Sequence, residues 1–389
     1  MVKRMKQALA PAAGILVAFI VFRIFLVSPL PIGLPILIAA IIALLMVEKR
    51  GTLDRMALAF REHRKSTVPF LILLAVLIPI LIPNAYLIHL CVLVCMYSVI
   101  NIGLDFQLGM TNMVNFATAA FFGVGAYTTA LLTTQWQVSL WAGILLGGLS
   151  AGIFGFLLGI PTLRTRDYYL SLVTLAFQFI FVMFIENMEW TGGPDGVRGI
   201  SLLSIGDYSF NDPLVILGLD LPYQANFYYL VLILLLMAIL ASTRLRNSRV
   251  GLAWNAIRAD EVSASCQGIN LANWKLAAFS IGAFFAGVIG AVYTHYVGFI
   301  SPNNFGFNLS VALVCMLILG GMDNVAGIII GTIILTILPE KLREFSEYRM
   351  VIYGVVVVVM LIFRPQGLLP KKLRNYGRTG DPLPGFPRR

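Results

Sequence analysis

The sequence predicts an all-α, polytopic membrane protein, and three observations carry that prediction. Hydrophobic residues fill 59% of the 389 positions and charged residues only 12%, about half the charge of a soluble domain. Mean hydropathy is +0.88. Apolar runs such as Pro29–Val47, Phe70–Ile82, Phe227–Ala241 and Val351–Phe363 approach the roughly 20 residues a helix needs to cross the hydrocarbon core. Lipid offers backbone amides no partners, so each crossing must satisfy its own, which leaves a helical bundle. No hydrophilic stretch is long enough for a soluble domain.

In chain order, apolar segments fall near residues 8–27, 30–47, 68–83, 85–104, 111–134, 138–162, 168–187, 226–243, 275–298, 308–321, 324–339 and 350–364. The first follows a basic start, MVKRMK, as in a signal peptide. No small-residue cleavage site precedes the next apolar run at Ile32, so a retained span is expected. The segment at 308–321 is short, and the Gly320–Gly321 pair that ends it suits half of a re-entrant hairpin. The expected count is therefore ten to twelve. Three divisions follow: an N-terminal membrane hairpin with a basic loop over 1–67, a transmembrane domain over 68–370, and a basic tail over 371–389.

Basic residues set the orientation, because Lys and Arg are retained on the cytoplasmic side of short loops. With the N-terminus inside, 23 of the 28 Lys and Arg residues lie in cytoplasmic pieces. Only Arg198, Lys341, Arg343 and Arg349 lie outside, with Arg23 inside the first span. Both termini are cytoplasmic on this reading. The formal charge of +10 is that of a basic inner face beside anionic headgroups, with no need of nucleic acid.

Several chemistries are disfavoured. There is no H-E-x-x-H and no pair of aspartates within a span, so an intramembrane metalloprotease or aspartyl protease lacks its groups. Asp105, Glu186 and Asp323 fall near predicted span ends, and an ion-coupled path then lacks buried carboxylates. His89 and His295, near outer ends, read as interfacial. Cys91, Cys95, Cys266 and Cys315 have no metal-ligand spacing with histidine and read as packing residues. No G-x-x-x-x-G-K-[ST] phosphate loop occurs, so any ATP must be used on another chain.

The most informative polar piece is the cytoplasmic loop at 249–275, RVGLAWNAIRADEVSASCQGINLANWK. Gly251 to Gln267 reads as one amphipathic helix, with Leu252, Ala256, Ile257 and Ala264 sharing a face and Arg258, Asp260 and Glu261 elsewhere. Gly268 is placed to end it with a left-handed cap. Such a helix either lies on the membrane or enters a groove in a cytoplasmic partner, and the second is preferred.

That loop resembles the coupling loop of ABC importers, in particular the form found in LivM-type permeases for branched-chain amino acids. Gly251, Ala256, Ile257, Arg258, Asp260, Glu261, Ala264, Gly268, Ile269 and Asn270 stand in register, while Val262–Ser263 replace two alanines. Three further stretches are similar to the same family in the same order. They are NFATAAFFGVGAYTTAL at Asn115–Leu131, where Ala117 and Thr118 replace Gly-His, LRTRDYYLSLVTLAF at Leu163–Phe177, and TGGPDGVRGI at Thr191–Ile200. With RPQGLLP at Arg364–Pro370, the resemblance covers about residues 101–370.

Each stretch also has a physical reading of its own. Ala119, Gly123 and Tyr127 lie four apart, as do Gly125 and Thr129, a spacing for close helix packing. The same region offers Asn112, Asn115, Thr118 and Thr128 as candidate polar lining of a translocation path. Arg164 and Arg166 serve most simply to anchor a helix end at the headgroups. The outer loop, with Thr191, Gly192, Gly193 and Gly196, is a connector or a contact for a binding protein.

The resemblance implies a type II importer permease fold and a translocation path shared with a second, related permease. It implies two ABC ATPase subunits that bind ATP and Mg, a periplasmic or lipoprotein solute-binding protein, and a place in the bacterial inner membrane. Permeases of the same type for urea, short amides or other amino acids remain alternatives for the substrate. An ion-coupled secondary transporter remains the alternative of a different class.

Overall fold

The computed structural model describes residues 64–341 except 83, 163–166, 206–207 and 217–218, together with 351, 354, 355, 358, 362 and 367–369. The spans expected at 8–27 and 30–47, the loop arginines Arg164 and Arg166 and the basic tail lie outside the described residues, as does most of the 1–67 division.

The helices are α1 (Arg64–Leu81), α2 (Ala85–Thr111), α3 (Thr118–Thr134), α4 (Leu140–Thr162), α5 (Asp167–Asn187), α6 (Gln224–Arg246), α7 (Arg249–Ala259), α8 (Glu261–Cys266), α9 (Leu271–Val297), α10 (Phe307–Gly320) and α11 (Val325–Lys341). Two small antiparallel hairpins, β1–β2 (Ser204–Ile205, Tyr208–Ser209) and β3–β4 (Leu214–Ile216, Leu219–Leu221), lie between α5 and α6. Six apolar segments among the described residues are long enough to cross a membrane, and Pro69–Leu81 and Val325–Glu340 are shorter apolar helices. The chain is an all-α, multi-pass membrane protein.

Glycine sets how closely these helices approach. A Cβ on Gly125 would run into the Gly287 backbone, and one on Gly287 would meet Ala151 and the Gly147 carbonyl, so α3, α4 and α9 touch nearly backbone to backbone. Gly103 and Gly282 do the same for α2 and α9. Small residues allow this approach because lipid supplies no solvent-driven force between helices and dispersion contact must do so instead.

Two helices begin inside the bundle. The segment expected to span 111–134 is broken: α2 runs on to Thr111, Asn112 turns left-handed at φ 58°, and α3 starts only at Thr118. The extra turn of α2 is stabilised by buried polar partners for Asp105 and Gln107, which an apolar pattern does not register. With 17 residues, α3 is about 25 Å long, short of the roughly 30 Å core. Its first turn is held by Gln178, the middle of α5: Gln178 Oε1 accepts from the Ala120 amide (2.8 Å) and the Ser310 hydroxyl (3.1 Å), while Nε2 donates to the Phe305 carbonyl (2.7 Å). Phe305 and Ser310 flank the start of α10, so one glutamine clasps two helices that begin at the same depth.

The segment at 308–321 packs on α11 through Gly320 and Gly327, and with the turn before it, Pro302–Gly320 is long enough to cross a membrane. Its free carbonyls Leu319 O and Gly320 O accept from the amides of Leu368 (2.8 Å) and Leu369 (3.1 Å). The GLL of the C-terminal motif is thus a cap for α10. Gly367, at φ 82°, lies against the Gly321 backbone, where a Cβ would collide.

Aromatic side chains mark one end of the bundle. Trp136, Trp141 and Trp190 are exposed at the end opposite the basic loop, where interfacial aromatics are favoured. Gln135 Nε2 donates to Trp190 O at 3.2 Å and Trp141 Nε1 to Ser204 O at 3.2 Å, which gathers the outer loops. His89 and His295 do lie at this end, but they are packed rather than interfacial. His295 is 1% exposed with Nδ1 2.8 Å from Ser201 O, and His89 stacks on Tyr296.

Candidate coupling site and its anchor

The 249–275 loop folds as two helices, not one. Ser248 caps α7, its hydroxyl accepting from the Val250 amide at 3.2 Å. Asp260 ends α7 in an extended conformation (φ −165°, ψ 116°) and caps α8, its carboxylate accepting from the Ser263 amide at 2.7 Å. The sequence shows Asp260 only as a charge on a polar face, and its capping role breaks the helix there. The Ser263 amide, then the Ser263 hydroxyl, hold the Asp260 carboxyl below its usual range. A lowered folded-state value means that the cap contributes stability above the ordinary Asp range and loses it as pH falls through the lowered value.

The end of α8 is as expected. Gly268 adopts φ 79°, the Gly268 amide donates to Ser265 O (3.0 Å) and the Ile269 amide to Ala264 O (3.2 Å), the paired bonds of a Schellman cap. No other heavy atom lies within 4 Å of a Cβ placed on Gly268, so only the left-handed backbone opposes a side chain. Gly268→Val is expected to cost about 1–2 kcal/mol in this loop, seen as faster hydrogen exchange at Ala264–Ile269, with Gly268→Asn closer to wild type.

The buried face also differs from the expected one. Gly251, Ala253, Trp254 and Ile257 point into the protein, together with Ala264, whereas Leu252 is exposed and Ala256 half-buried. Trp254 decides this: its ring lies 5.6 Å from that of Phe106 on α2, and Nε1 donates to the Trp274 carbonyl at 2.8 Å. Glu261 and Lys275 pair at 2.6 Å and tie α8 to the start of α9. Val262, at 73% exposed, faces away from the bundle.

Immediately before α7 lies an ionic anchor. Arg246, the last residue of α6 and 6% exposed, pairs through Nη2 with Asp105 of α2, and through Nη1 with both the carboxylate (2.9 Å) and the carbonyl of Asp323. Its Nε donates to the Ser242 hydroxyl (3.0 Å), and Asp105 Oδ1 accepts from the Asp323 amide (2.7 Å). Asp323, left-handed at φ 61°, is the turn between α10 and α11. The expectation that the carboxylates lie at span ends without deep burial fails for Asp105, which is 0% exposed. A guanidinium fork can serve two carboxylates and a carbonyl at once, so this charge is satisfied by protein where a loop position would leave it to water.

The four candidate path residues do not converge. Asn112 is an exposed helix cap. Asn115 is buried: its Nδ2 donates to Gln107 Oε1 (2.6 Å) and its Oδ1 accepts from the Ala117 amide (2.7 Å). Thr118, at 3% exposed, has no hydrogen-bond partner for its hydroxyl among the described residues. Thr128 lies toward the other end of α3 and accepts from the Ser150 hydroxyl at 3.0 Å. In the outer loop, Thr191 is buried and donates to Ile185 O and Met188 O, Gly193 is buried, Gly196 adjoins the Ile300 backbone, and Gly192 is exposed. The sequence reading passed over Gln107, Gln178 and Ser310. Gln178, a lone amide inside LVTLAFQFIFVMF, was the available signal.

A multi-pass bundle with broken inner helices, a two-helix element at one end and an ionic anchor at its root fits a membrane permease. Residues 86–363 match the family described as "Branched-chain amino acid transport system / permease component", and the chain belongs to it. It is 34% identical over 329 residues to the high-affinity branched-chain amino acid transport system permease protein LivM of Escherichia coli K12, covering 80% of this chain and 77% of that one. It is also 26% identical over 288 residues to LivH, a permease protein of the same description from that strain, covering 70% of this chain and 91% of the other. An archaeal relative, a probable LivM of Methanocaldococcus jannaschii, is 21% identical over 326 residues, 71% of this chain and 91% of its own. No solved structure matches the chain.

Proposed function

We propose that the chain is the membrane-spanning permease of an ATP-driven importer for leucine, isoleucine and valine, paired with a second, related permease. Two ABC ATPase subunits, which bind the ATP and Mg, dock on α7 and α8. A solute-binding protein meets the outer face near Thr191–Gly196 and selects the substrate. The observation that carries this reading is the coupling element: Trp254 and Ile257 fix one face to the bundle, while Leu252 and Val262 leave apolar side chains outside. A helix lying on lipid would turn its largest apolar residues to the membrane; here Trp254 and Ile257 are turned into protein. Likeness to both LivM and LivH supports pairing with a sister permease. The lack of a phosphate loop within these 389 residues supports an ATPase on other chains.

The test is purification through a tag on this chain followed by reconstitution with radiolabelled leucine. Val262→Asp places a charge at the proposed contact and is expected to reduce ATPase co-purification by at least about tenfold, while the permease itself remains folded in the membrane. Full co-purification with this variant would move the docking surface elsewhere. The buried Asp105 and half-buried Asp323 favour an ion-coupled transporter as the second reading, although both pair with the single guanidinium of Arg246. Uptake by the chain alone under an ion gradient, without ATP, would favour that reading.

A further inference from the structure

One turn of α2 meets three separate systems. Asp105 holds Arg246 at the root of α7, Phe106 packs on Trp254 of α7, and Gln107 bonds Asn115, whose Oδ1 accepts from the Ala117 amide just before α3. Successive helical residues point about 100° apart, so three neighbours reach three directions without sharing a partner. Gln107 is held on its other side as well: Nε2 donates to the Phe279 carbonyl of α9 at 3.3 Å, in space left by Gly282, where a Cβ would collide with it. Residues 112–117 are not helical, so α2 and α3 are not one rod. Within that break Gln107 bonds Asn115 through its side chain and the Asn112 and Met113 amides through its carbonyl.

We propose that the Asp105–Gln107 turn is the relay by which displacement of the coupling helices reaches the start of α3, and that Gln107 is the positioning residue of that relay. This rests on the ATP-driven reading above. Movement of α7 loads α2 directly through Trp254 and through Arg246. The buried amide pair carries it to Asn115, and hence to the α3 turn that Gln178 clasps against α10. A buried amide pair suits this role because breaking it leaves an unsatisfied polar group, so both partners move together.

The test uses the assembled importer purified through this chain and reconstituted in liposomes, with leucine uptake and ATP hydrolysis measured on one preparation. Gln107→Leu is expected to leave ATPase binding and basal hydrolysis in place and to lower leucine imported per ATP by about tenfold, the scale of an ordinary coupling energy. The reciprocal exchange, Gln107→Asn with Asn115→Gln, rebuilds an amide bond of the same span and is expected to restore most of the ratio. A merely structural role would lower assembly, hydrolysis and uptake in parallel. An unchanged ratio in Gln107→Leu, or an exchange that folds and assembles without restoring it, overturns the relay alone. Uptake by the wild-type complex that needs no ATP overturns the relay and the functional reading together.

Discussion

Arg246→Met is expected to destabilise the protein by about 3–5 kcal/mol, because it strands two carboxylates that a single guanidinium now serves. Asp105 is fully buried, and Asp323 supplies a carboxylate, a carbonyl and an amide to the same cluster. Thermal unfolding of the solubilised protein should fall by on the order of 10 °C. Arg246→Lys should lie between, since a single ammonium keeps the charge but not the fork. Adding Asp105→Asn to Arg246→Met should recover part of the loss by removing one stranded charge, and that recovery marks the ionic effect apart from lost packing. A melting temperature for Arg246→Met within a degree or two of wild type would show that the buried cluster contributes no net stability.

The same cluster explains how the 249–275 loop is held. Arg246 precedes the Ser248 cap of α7 by two residues, so fixing its guanidinium fixes the direction in which α7 leaves α6. Asp323 extends that restraint to the α10–α11 turn, and Asn324 Nδ2, donating to Leu369 O at 2.9 Å, extends it to the C-terminal motif. Four parts of the chain far apart in sequence therefore converge at one end of the bundle.

How much of this was legible follows from what each signal measures. Hydropathy registers solvent, and it placed α4, α5, α6 and α9 to within a few residues, while α2 runs on to Thr111 past its expected end. Charge registers the membrane side, and it put the 249–275 loop and the outer loop at opposite ends. The left-handed cap at Gly268 was legible because its backbone conformation is local and only glycine adopts it freely. Asp260 was misread because an aspartate at a polar helix position and an aspartate capping the next helix look alike in one dimension. Asp105 was misread for a different reason. It falls at the predicted end of a span, where charges ordinarily reach water, and only its juxtaposition with Arg246 across 141 positions makes burial tolerable. Thr118 was singled out on sequence and proved buried, while the Gln178 clasp beside it escaped notice, since a lone amide in an apolar run names no partner until the helices are assembled.

A large, purely steric effect is expected at Gly125. A side chain there meets the Gly287 backbone, and backbone, unlike the end of a flexible side chain, cannot rotate away. Overpacking a well-formed core costs about 1–3 kcal/mol even where side chains can shift, and at this crossing the strain passes to α4 because Gly287 lies as close to Gly147 and Ala151. Gly125→Val should therefore separate α3 from α9 and leave little monodisperse permease on gel filtration in detergent. Gly152→Ala is the matched control on α4: its Cβ would find Phe284 Cβ and Ser280 O at 3.5 Å, ordinary contact distance. Because alanine also restricts the unfolded chain and suits a helix interior, it should be neutral or stabilising by up to roughly 1 kcal/mol. If Gly125→Val purified as well as Gly152→Ala, helix contact at Gly125 and Gly287 would not be what positions α3, and its placement would rest on the polar clasp at its first turn.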